Sequence, residues 1–311
     1  MAFNHRDQPH PTPIVFAFDK GYGKYTCVSI ASLLCHSKVC LDIHCLTADI
    51  DDPHIGDIQA TAERFGSSLT LHHIDPSKFA EWKTEYHFSA ANYYRVSIPS
   101  LIKNSRALYL DSDLVVTCNV QELLDLDMDG SWMAGVPDFA GAAMTRMPRP
   151  EGEPYINSGV LLLDLDRLRD SHFEDRFKQI YEEHEQQITW ADQCVINEFA
   201  LGKKLVLDER WNVQSTNHQA LSLRSKIGHF DGCGIIHGSG RRKPWMRWAD
   251  PWLSGLWSSY ARLTGIPAED LMIEPQSDID FHMLAKMYDA EKRWEEASAV
   301  KGELLRKLLT T

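Results

Sequence analysis

Between Ile14 and Leu110 the chain alternates short apolar runs with stretches of helical spacing, and that alternation leaves few folds open. Ile14-Val-Phe-Ala-Phe18 reads as a strand, Tyr25 to Leu34 as a helix, and Leu41 to Leu46 as a strand of period two. Asp57 to Phe65 then reads as a helix, Leu69 to Ile74 as a strand, Ala90 to Ile98 as a helix, and residues 107–110 as a buried strand. Strands and helices in this order build a parallel sheet with right-handed crossovers. With 311 residues the chain can bury the core of one large α/β domain, alone or with a smaller subdomain.

Further along, Val120 to Leu126 fits a short helix and Met133 to Val136 another apolar stretch. Residues 139–154, rich in Gly, Ala, Met and Pro, are expected to form a mobile loop. Asn157-Ser-Gly-Val-Leu-Leu-Leu163 reads as a turn running into a buried strand. Residues 167–187 fit one charged amphipathic helix, Asp192 to Leu201 a second, and Leu205 to Leu207 a short strand. Residues 1–13 read as a disordered lead, 14–265 as the main domain and 266–311 as a C-terminal helical segment.

The run 107–110 ends in Asp111-Ser112-Asp113. Side chains alternate along a strand, so Asp111 and Asp113 are expected on the same side, just past its carboxyl end. Open α/β sheets bind ligands there. Two carboxylates can hold a hard divalent cation, which can neutralise a diphosphate. The spacing alone is not selective. Asp49/Asp51, Asp125/Asp127, Asp127/Asp129, Asp164/Asp166 and Asp278/Asp280 share it, and most of these fit turns or caps. Only Asp111 and Asp164 directly follow an apolar run, so two candidates stand.

Lys and Arg total 32 against 44 Asp and Glu, a net charge of −12, which argues against nucleic acid or an anionic membrane as the main partner. Seven cysteines with no Cys-x-x-Cys point away from a disulfide framework or zinc ribbon. They fit reduced, mostly buried thiols of a cytoplasmic protein. The polar N-terminus lacks the apolar core of a signal peptide, and no run of 18 apolar residues is present.

Other residues carry two readings each. Gly21-x-Gly23-x-x-Thr26 nearly matches a dinucleotide fingerprint, which makes an NAD-dependent dehydrogenase the rival from another class. Against it, Asp19-Lys20 separates the strand from the first glycine, and a carboxylate there would repel a pyrophosphate. Asp19 is either a cap or an acceptor for a base N–H or a metal-bound water. Tyr22 is either packing or a stacking platform. His237 lies in Ile236-His237-Gly-Ser-Gly240-Arg-Arg-Lys243-Pro-Trp245, where glycines let backbone approach a phosphate. Its imidazole could complete a metal site with Asp111 and Asp113. Arg241 and Arg242 fit a solvated turn. Asp192 is by default an N-cap, and Asn157 fits turn chemistry. Trp245, Trp248 and Trp252 recur at i, i+3 and i+7, the face of a helix in the core or at an interface.

Taken as an ordered set, these motifs resemble glycosyltransferase family 8: Ile14 to Asp19, Tyr94-Arg95, Leu108-Tyr-Leu-Asp-Ser-Asp113, Asn157-Ser-Gly-Val-Leu-Leu, Asp192-Gln193, and His237 followed by Lys243-Pro-Trp. The similarity runs from about Ile14 to about Leu263. It implies a GT-A fold, a single Rossmann-like nucleotide-sugar-binding domain with a mostly parallel central sheet, and retaining transfer of a hexose from a UDP-sugar. In that pattern Asp111, Asp113 and His237 correspond to ligands of manganese, with magnesium as the alternative ion. Asp19 and Tyr22 correspond to uridine contacts, and Lys243 and Gly240 to diphosphate contacts. Ala17 and Ser112 join the donor contacts. Arg95, Asp138, Asn157 and Asp192 correspond to groups around the donor sugar, and Gln193 to the residue opposite the leaving group.

Two departures stand out. Asp19-Lys-Gly-Tyr22 replaces an Asp-Asp-Asn-Tyr common in the family, and Asp192-Gln193-Cys194 replaces Asp-Gln-Asp. The second removes a carboxylate proposed as a nucleophile, which favours front-side displacement. The implied acceptor is a glycan or glycolipid such as lipopolysaccharide or a surface polysaccharide. The implied location is cytoplasmic or peripheral at the inner membrane, and a homodimer is compatible. A catalytically weak nucleotide-sugar-binding protein is the alternative function. Residues 269–311 hold ten acidic and six basic residues, which fits a packed helix at least as well as a membrane contact.

Overall fold

A computed structural model describes residues 12–82, 89–216 and 220–310. Among the described residues ten strands are formed: β1 (Ile14–Ala17), β2 (Asp42–Thr47), β3 (Ser68–His73), β4 (Arg106–Leu110), β5 (Leu114–Val116), β6 (Met133–Gly135), β7 (Val160–Asp164), β8 (Lys204–Val206), β9 (Val213–Gln214) and β10 (Ile235–His237). The helices are α1 (Gly23–His36), α2 (Ile55–Arg64), α3 (Ala91–Tyr94), α4 (Ile98–Leu101), α5 (Gln121–Leu124), α6 (Phe139–Met144), α7 (Leu165–Asp170) and α8 (Phe173–His184). They continue as α9 (Ala191–Phe199), α10 (Ala220–His229), α11 (Pro251–Ala261), α12 (Ala268–Leu271), α13 (Asp278–Ala290) and α14 (Trp294–Thr310).

Seven strands form the central sheet in the order β3-β2-β1-β4-β7-β6-β8. Strands β1 to β4 pair in parallel, β6 pairs β8 in parallel, and β7 alone runs against both its neighbours. The expected mostly parallel α/β sheet is present. Its order reverses beside β1, which opens a crevice at the carboxyl ends of β1 and β4. Two apolar layers flank the sheet. Ile14, Phe16, Leu108 and Leu110 face one layer, and Val15, Ala107 and Tyr109 the other, as period-two alternation requires. A second sheet, β5-β10-β9, stands at the crevice.

Several local expectations are corrected. The helix expected over 90–98 is broken into α3, a 3-10 turn at Arg95–Ser97, and α4. Pro99 has no N–H to donate to the Arg95 carbonyl, so a continuous helix cannot pass. The loop expected over 139–154 begins with α6, whose cap is Asp138 accepting from Gly141 N–H at 2.8 Å. The single helix expected over 167–187 is two, divided at His172, which has φ +53°. Trp245 and Trp248 precede α11, and only Trp252 lies on it, so the three do not share a helix face. Trp245 is nevertheless core, stacked on Tyr25 at 3.8 Å. Three of the seven cysteines, Cys27, Cys45 and Cys194, are buried, fewer than expected.

The lead at 1–13 lies outside the described residues except for its last two. Thr12 is buried, and the Pro13 carbonyl accepts from Leu108 N–H at 2.9 Å. At the other end, Ile273 N–H donates to the Trp245 carbonyl at 2.9 Å, and Leu271 joins the main core. Helices α13 and α14 pack on each other, and α13 opens with a Ser277/Asp280 capping box. Among the described residues, no helix is long and apolar enough to cross a membrane.

Candidate active site

A cavity of about 650 Å³ opens at the carboxyl ends of β1 and β4. Every site residue singled out from the sequence lines it: Ala17, Asp19 and Tyr22 after β1, Arg95 from the 3-10 turn, and Asp111, Ser112 and Asp113 after β4. Asp138, Asn157, Asp192, Gln193, His237, Gly240 and Lys243 complete the wall.

The fold separates the two carboxylate pairs. Asp164 caps α7, accepting from Arg167 N–H at 3.0 Å. Asp127 accepts from Asp129 N–H, and Asp280 closes the α13 capping box, so these pairs do serve turns and caps. Asp111 and Asp113 instead meet His237. The register of β5 against β10 sets Leu114 opposite His237 and so carries the ring to Asp113. His237 Nε2 lies 3.2 Å from Asp113 Oδ1 and 3.8 Å from Asp111 Oδ2. Among the described residues, Asp111, Asp113 and His237 alone offer three such ligand atoms, all within 4.8 Å of one another. Two carboxylate oxygens and an imidazole nitrogen suit manganese or magnesium better than a thiophilic ion.

Charge at the site is compensated pairwise. Lys243 Nζ donates to Asp113 Oδ2 at 2.5 Å. Burial would raise the Asp113 carboxyl, but Lys243 and His237 outweigh it and hold it well below the usual carboxylate range. Arg95 is buried and donates to Asp111 Oδ1 at 3.0 Å and to the Ser158 carbonyl at 2.5 Å, while its Nε stands 3.3 Å from Asp192 Oδ2. Its guanidinium also lies 4.2 Å over the Tyr109 ring. Burial would lower Arg95, and Asp111 and Asp192 more than offset it.

Asp192 is corrected from the expected N-cap. It sits inside the first turn of α9, whose cap position is Trp190. Burial pushes its carboxyl up to about 6 despite the opposing pull of Arg95. Gln193 is held on both sides: Nε2 donates to Asp138 Oδ2 at 3.0 Å, and Oε1 accepts from Asn157 Nδ2 and Ser158 N–H, each at 3.1 Å. Cys194 points elsewhere, to the Tyr155 hydroxyl at 3.3 Å, and does not line the cavity.

Around the first strand, Asp19 is largely desolvated and its carboxyl is raised. Tyr22 packs edge-on against Trp245 at 5.8 Å and still reaches the cavity. The glycine pair at 21 and 23 does not present a free anion cradle. Gly21 N–H donates to Asp52 Oδ2 at 3.2 Å, and a Cβ on Gly23 would fall 2.6 Å from Asp52 Oδ1. Gly240 has φ +82°, a left-handed turn that glycine adopts at little cost.

Three contributors escaped sequence reasoning. Tyr109 donates to Asp111 Oδ1 at 2.6 Å, an interaction that its place in Leu108-Tyr-Leu-Asp could have signalled. Gly159 leaves room for the site, because a Cβ there would lie 2.3 Å from His237 Cε1 and 2.6 Å from Asp111 Oδ2 and would displace those side chains. Asn212, fully buried behind His237, follows Trp211 with no local pattern that marks it.

Comparisons with known proteins give the family and the fold. The sequence model of the family "Glycosyl transferase family 8" matches residues 13–249. Glycosyltransferase GlyF of Streptococcus pneumoniae serotype 4 is 27% identical over 252 residues, 80% of this chain and 61% of that protein. The chain thus spans less than two thirds of that relative's length. Lipopolysaccharide 1,2-glucosyltransferase of Escherichia coli K12 is 27% identical over 248 residues, 76% of this chain and 73% of that protein. The crystal structure of galactosyltransferase LgtC with donor and acceptor sugar analogs superposes with a TM-score of 0.75 at 24% identity, covering 83% of this chain and 98% of that one. That likeness is one of fold, and it fits the GT-A architecture.

Proposed function

This chain belongs to glycosyl transferase family 8, and from that premise we propose that it moves a hexose, galactose or glucose, from a UDP-sugar to a hydroxyl of a glycan acceptor. The observation that carries the reading is the convergence of Asp111, Asp113 and His237 in one cavity at the carboxyl edge of the sheet. In this reading the three residues hold manganese, which supplies the positive charge that a departing diphosphate needs. Asp19, Tyr22, Ala17 and Ser112 receive the nucleoside, and Lys243 and Gly240 the diphosphate. Arg95, Asp138, Asn157 and Asp192 surround the sugar. The family assignment displaces the dehydrogenase alternative, and the engagement of Gly21 by Asp52 is consistent with that.

The chemistry follows from what the side chains can do. Gln193 Oε1 already accepts two hydrogen bonds, and an amide is a weak nucleophile. It can stabilise developing positive charge on the sugar, not attack it. Cys194 faces Tyr155, so it offers no substitute. Front-side displacement is the outcome: the acceptor hydroxyl attacks the face that the diphosphate leaves, and the leaving phosphate takes the proton. The product retains the anomeric configuration.

The acceptor in this reading is lipopolysaccharide or another surface polysaccharide, reached from the cytoplasm or from the periphery of the inner membrane. The transferase domain is assigned to 14–265 and the appended helical segment to 266–311, with a homodimer compatible. The test is UDP release from a panel of UDP-sugars with manganese and then with EDTA. Slow hydrolysis of one sugar that stops with EDTA supports the reading and names the donor. Tight metal-dependent UDP binding without turnover would favour a nucleotide-sugar-binding protein instead. Neither binding nor turnover would refute the metal role of Asp111 and Asp113.

A further inference from the structure

His237 has two ring nitrogens, and only one can face the carboxylates. Which proton it carries is set by what lies behind the ring. His237 Nδ1 is 3.0 Å from Asn212 Oδ1. Asn212 Nδ2 in turn donates to Asn157 Oδ1 at 2.9 Å. The orientation of an amide is ambiguous by itself, because its oxygen and nitrogen have similar shape. Here the ambiguity is removed by backbone donors. Gly159 N–H points at Asn157 Oδ1 at 2.9 Å, so that atom must be the oxygen. Ser158 N–H points at Gln193 Oε1 at 3.1 Å, and Asp138 accepts from Gln193 Nε2, so Gln193 is fixed as well. Asn157 Oδ1 therefore needs a donor from Asn212, and the amide oxygen of Asn212 is left facing the ring. An oxygen there demands N–H at His237 Nδ1. All five side chains are more than nine-tenths buried, so water does not offer an easy alternative.

We propose that Asn212 is the positioning residue of this site: it holds the proton of His237 on Nδ1 and so keeps Nε2 directed at Asp111 and Asp113. The inference deepens the reading of those three residues as a metal group and rests on it for its effect on metal affinity. The proton assignment itself rests only on the hydrogen-bond chain from Asp138 through Gln193, Asn157 and Asn212 and on the backbone donors of Ser158 and Gly159. Side chains behind a ligating histidine commonly fix its tautomer and tune affinity in this way.

Two measurements test it on the full chain. The first is the nitrogen spectrum of 15N-histidine-labelled protein in EDTA near neutral pH, with His237 assigned by its loss in His237→Ala. A proton on Nδ1 in the wild type is expected, whether or not Nε2 also carries one toward Asp113, and rings without the Nδ1 proton should gain population in Asn212→Ala. An unprotonated Nδ1 in the wild type would overturn the proposal. The second is calorimetric titration with Mn2+. Asn212→Ala should lose about tenfold to a hundredfold in affinity. Asn212→Asp, which keeps an acceptor toward Nδ1 but sets it against Asn157 Oδ1, should retain most of the metal affinity. A merely structural residue would lose affinity equally in both variants, with matching losses in Tm, and that result would also overturn it. Wild-type protein whose Mn2+ binding is absent, or unaffected by Asp113→Asn, would instead defeat the metal reading. The tautomer result would then still decide the assignment at Nδ1.

Discussion

Asp192 is a carboxylate that the fold holds at a cost, and replacing it should stabilise the protein. Its carboxyl stands at about 6 against an ordinary 3.8, because burial outweighs the attraction of Arg95. As pH rises through 3.8 the unfolded chain releases this proton first, while the folded protein keeps it until about 6. Over that window the native state binds more protons, so this group's contribution to stability falls with pH. The contribution is fully present below 3.8 and is lost as pH passes 6. At about 1.4 kcal/mol per pH unit, the displacement is worth about 3 kcal/mol. Asp192→Asn removes the titration and keeps the shape. Urea unfolding of both proteins in EDTA, at steps from pH 4 to pH 7, should show their stability difference growing. It should start near zero and reach about 3 kcal/mol in favour of the variant, while sugar transfer falls. The comparison cancels the other carboxylates, including Asp113, whose depressed carboxyl contributes with the opposite sign. A difference that stays flat across the range, or a less stable variant at pH 7, would refute the account.

Other changes separate the parts of the site. Cys194→Ala should keep most transfer activity, because the thiol faces Tyr155 and Trp190 and not the cavity; a loss of several hundredfold in an intact fold would contradict this. Gly159→Ala should weaken Mn2+ binding by at least about tenfold, since its Cβ would press on His237 and Asp111, and wild-type affinity would show that the two can move apart freely. Lys243→Ala should tighten Mn2+ binding without nucleotide by about tenfold or more, because Lys243 competes for Asp113, and should weaken UDP binding when Mn2+ is present. Shifts of both affinities in the same direction would count against that dual role.

Much of this was legible from sequence because the signals were local. A strand that ends in carboxylates needs only period two and a turn, so Asp111 and Asp113 could be singled out, and β1 to β4 followed from alternation. What separated Asp111 from Asp164 was not local. Both follow an apolar run; Asp164 spends its oxygen three residues on, at the Arg167 N–H, and it is the fold that brings Asp111 to His237, distant in sequence. The short strands β5 and β9 carried too few residues for a period to be read, and it is β5 pairing β10 that brings His237 to Asp113. Asp192 reads as a cap when its helix position is judged from residue chemistry alone, whereas the buried Arg95 claims it. Asn212 had no pattern at all, since its role depends on two side chains distant in sequence, Asn157 and His237.

The same charges bear on how metal and nucleotide should depend on each other. Three carboxylates, Asp111, Asp113 and Asp192, share the permanent cations Arg95 and Lys243 in a confined space. A buried carboxylate left without a partner is costly, so the fold keeps Lys243 on Asp113 at 2.5 Å. A divalent ion at the same carboxylates must work against that ammonium. A diphosphate offers Lys243 another negative partner from the same cavity, and the ion offers the diphosphate a second positive one. Each ligand therefore relieves a charge that the other would have to face alone, and the two should bind with positive coupling. Linkage demands that the factor be the same in both directions. Mn2+ should tighten UDP binding by the factor by which UDP tightens Mn2+, and calorimetric titrations in the two orders measure both. In Lys243→Ala the coupling should shrink, because the ammonium no longer has to choose. Independent binding in the wild type would mean that Lys243 stays on Asp113 throughout, and that the diphosphate is gripped by other groups.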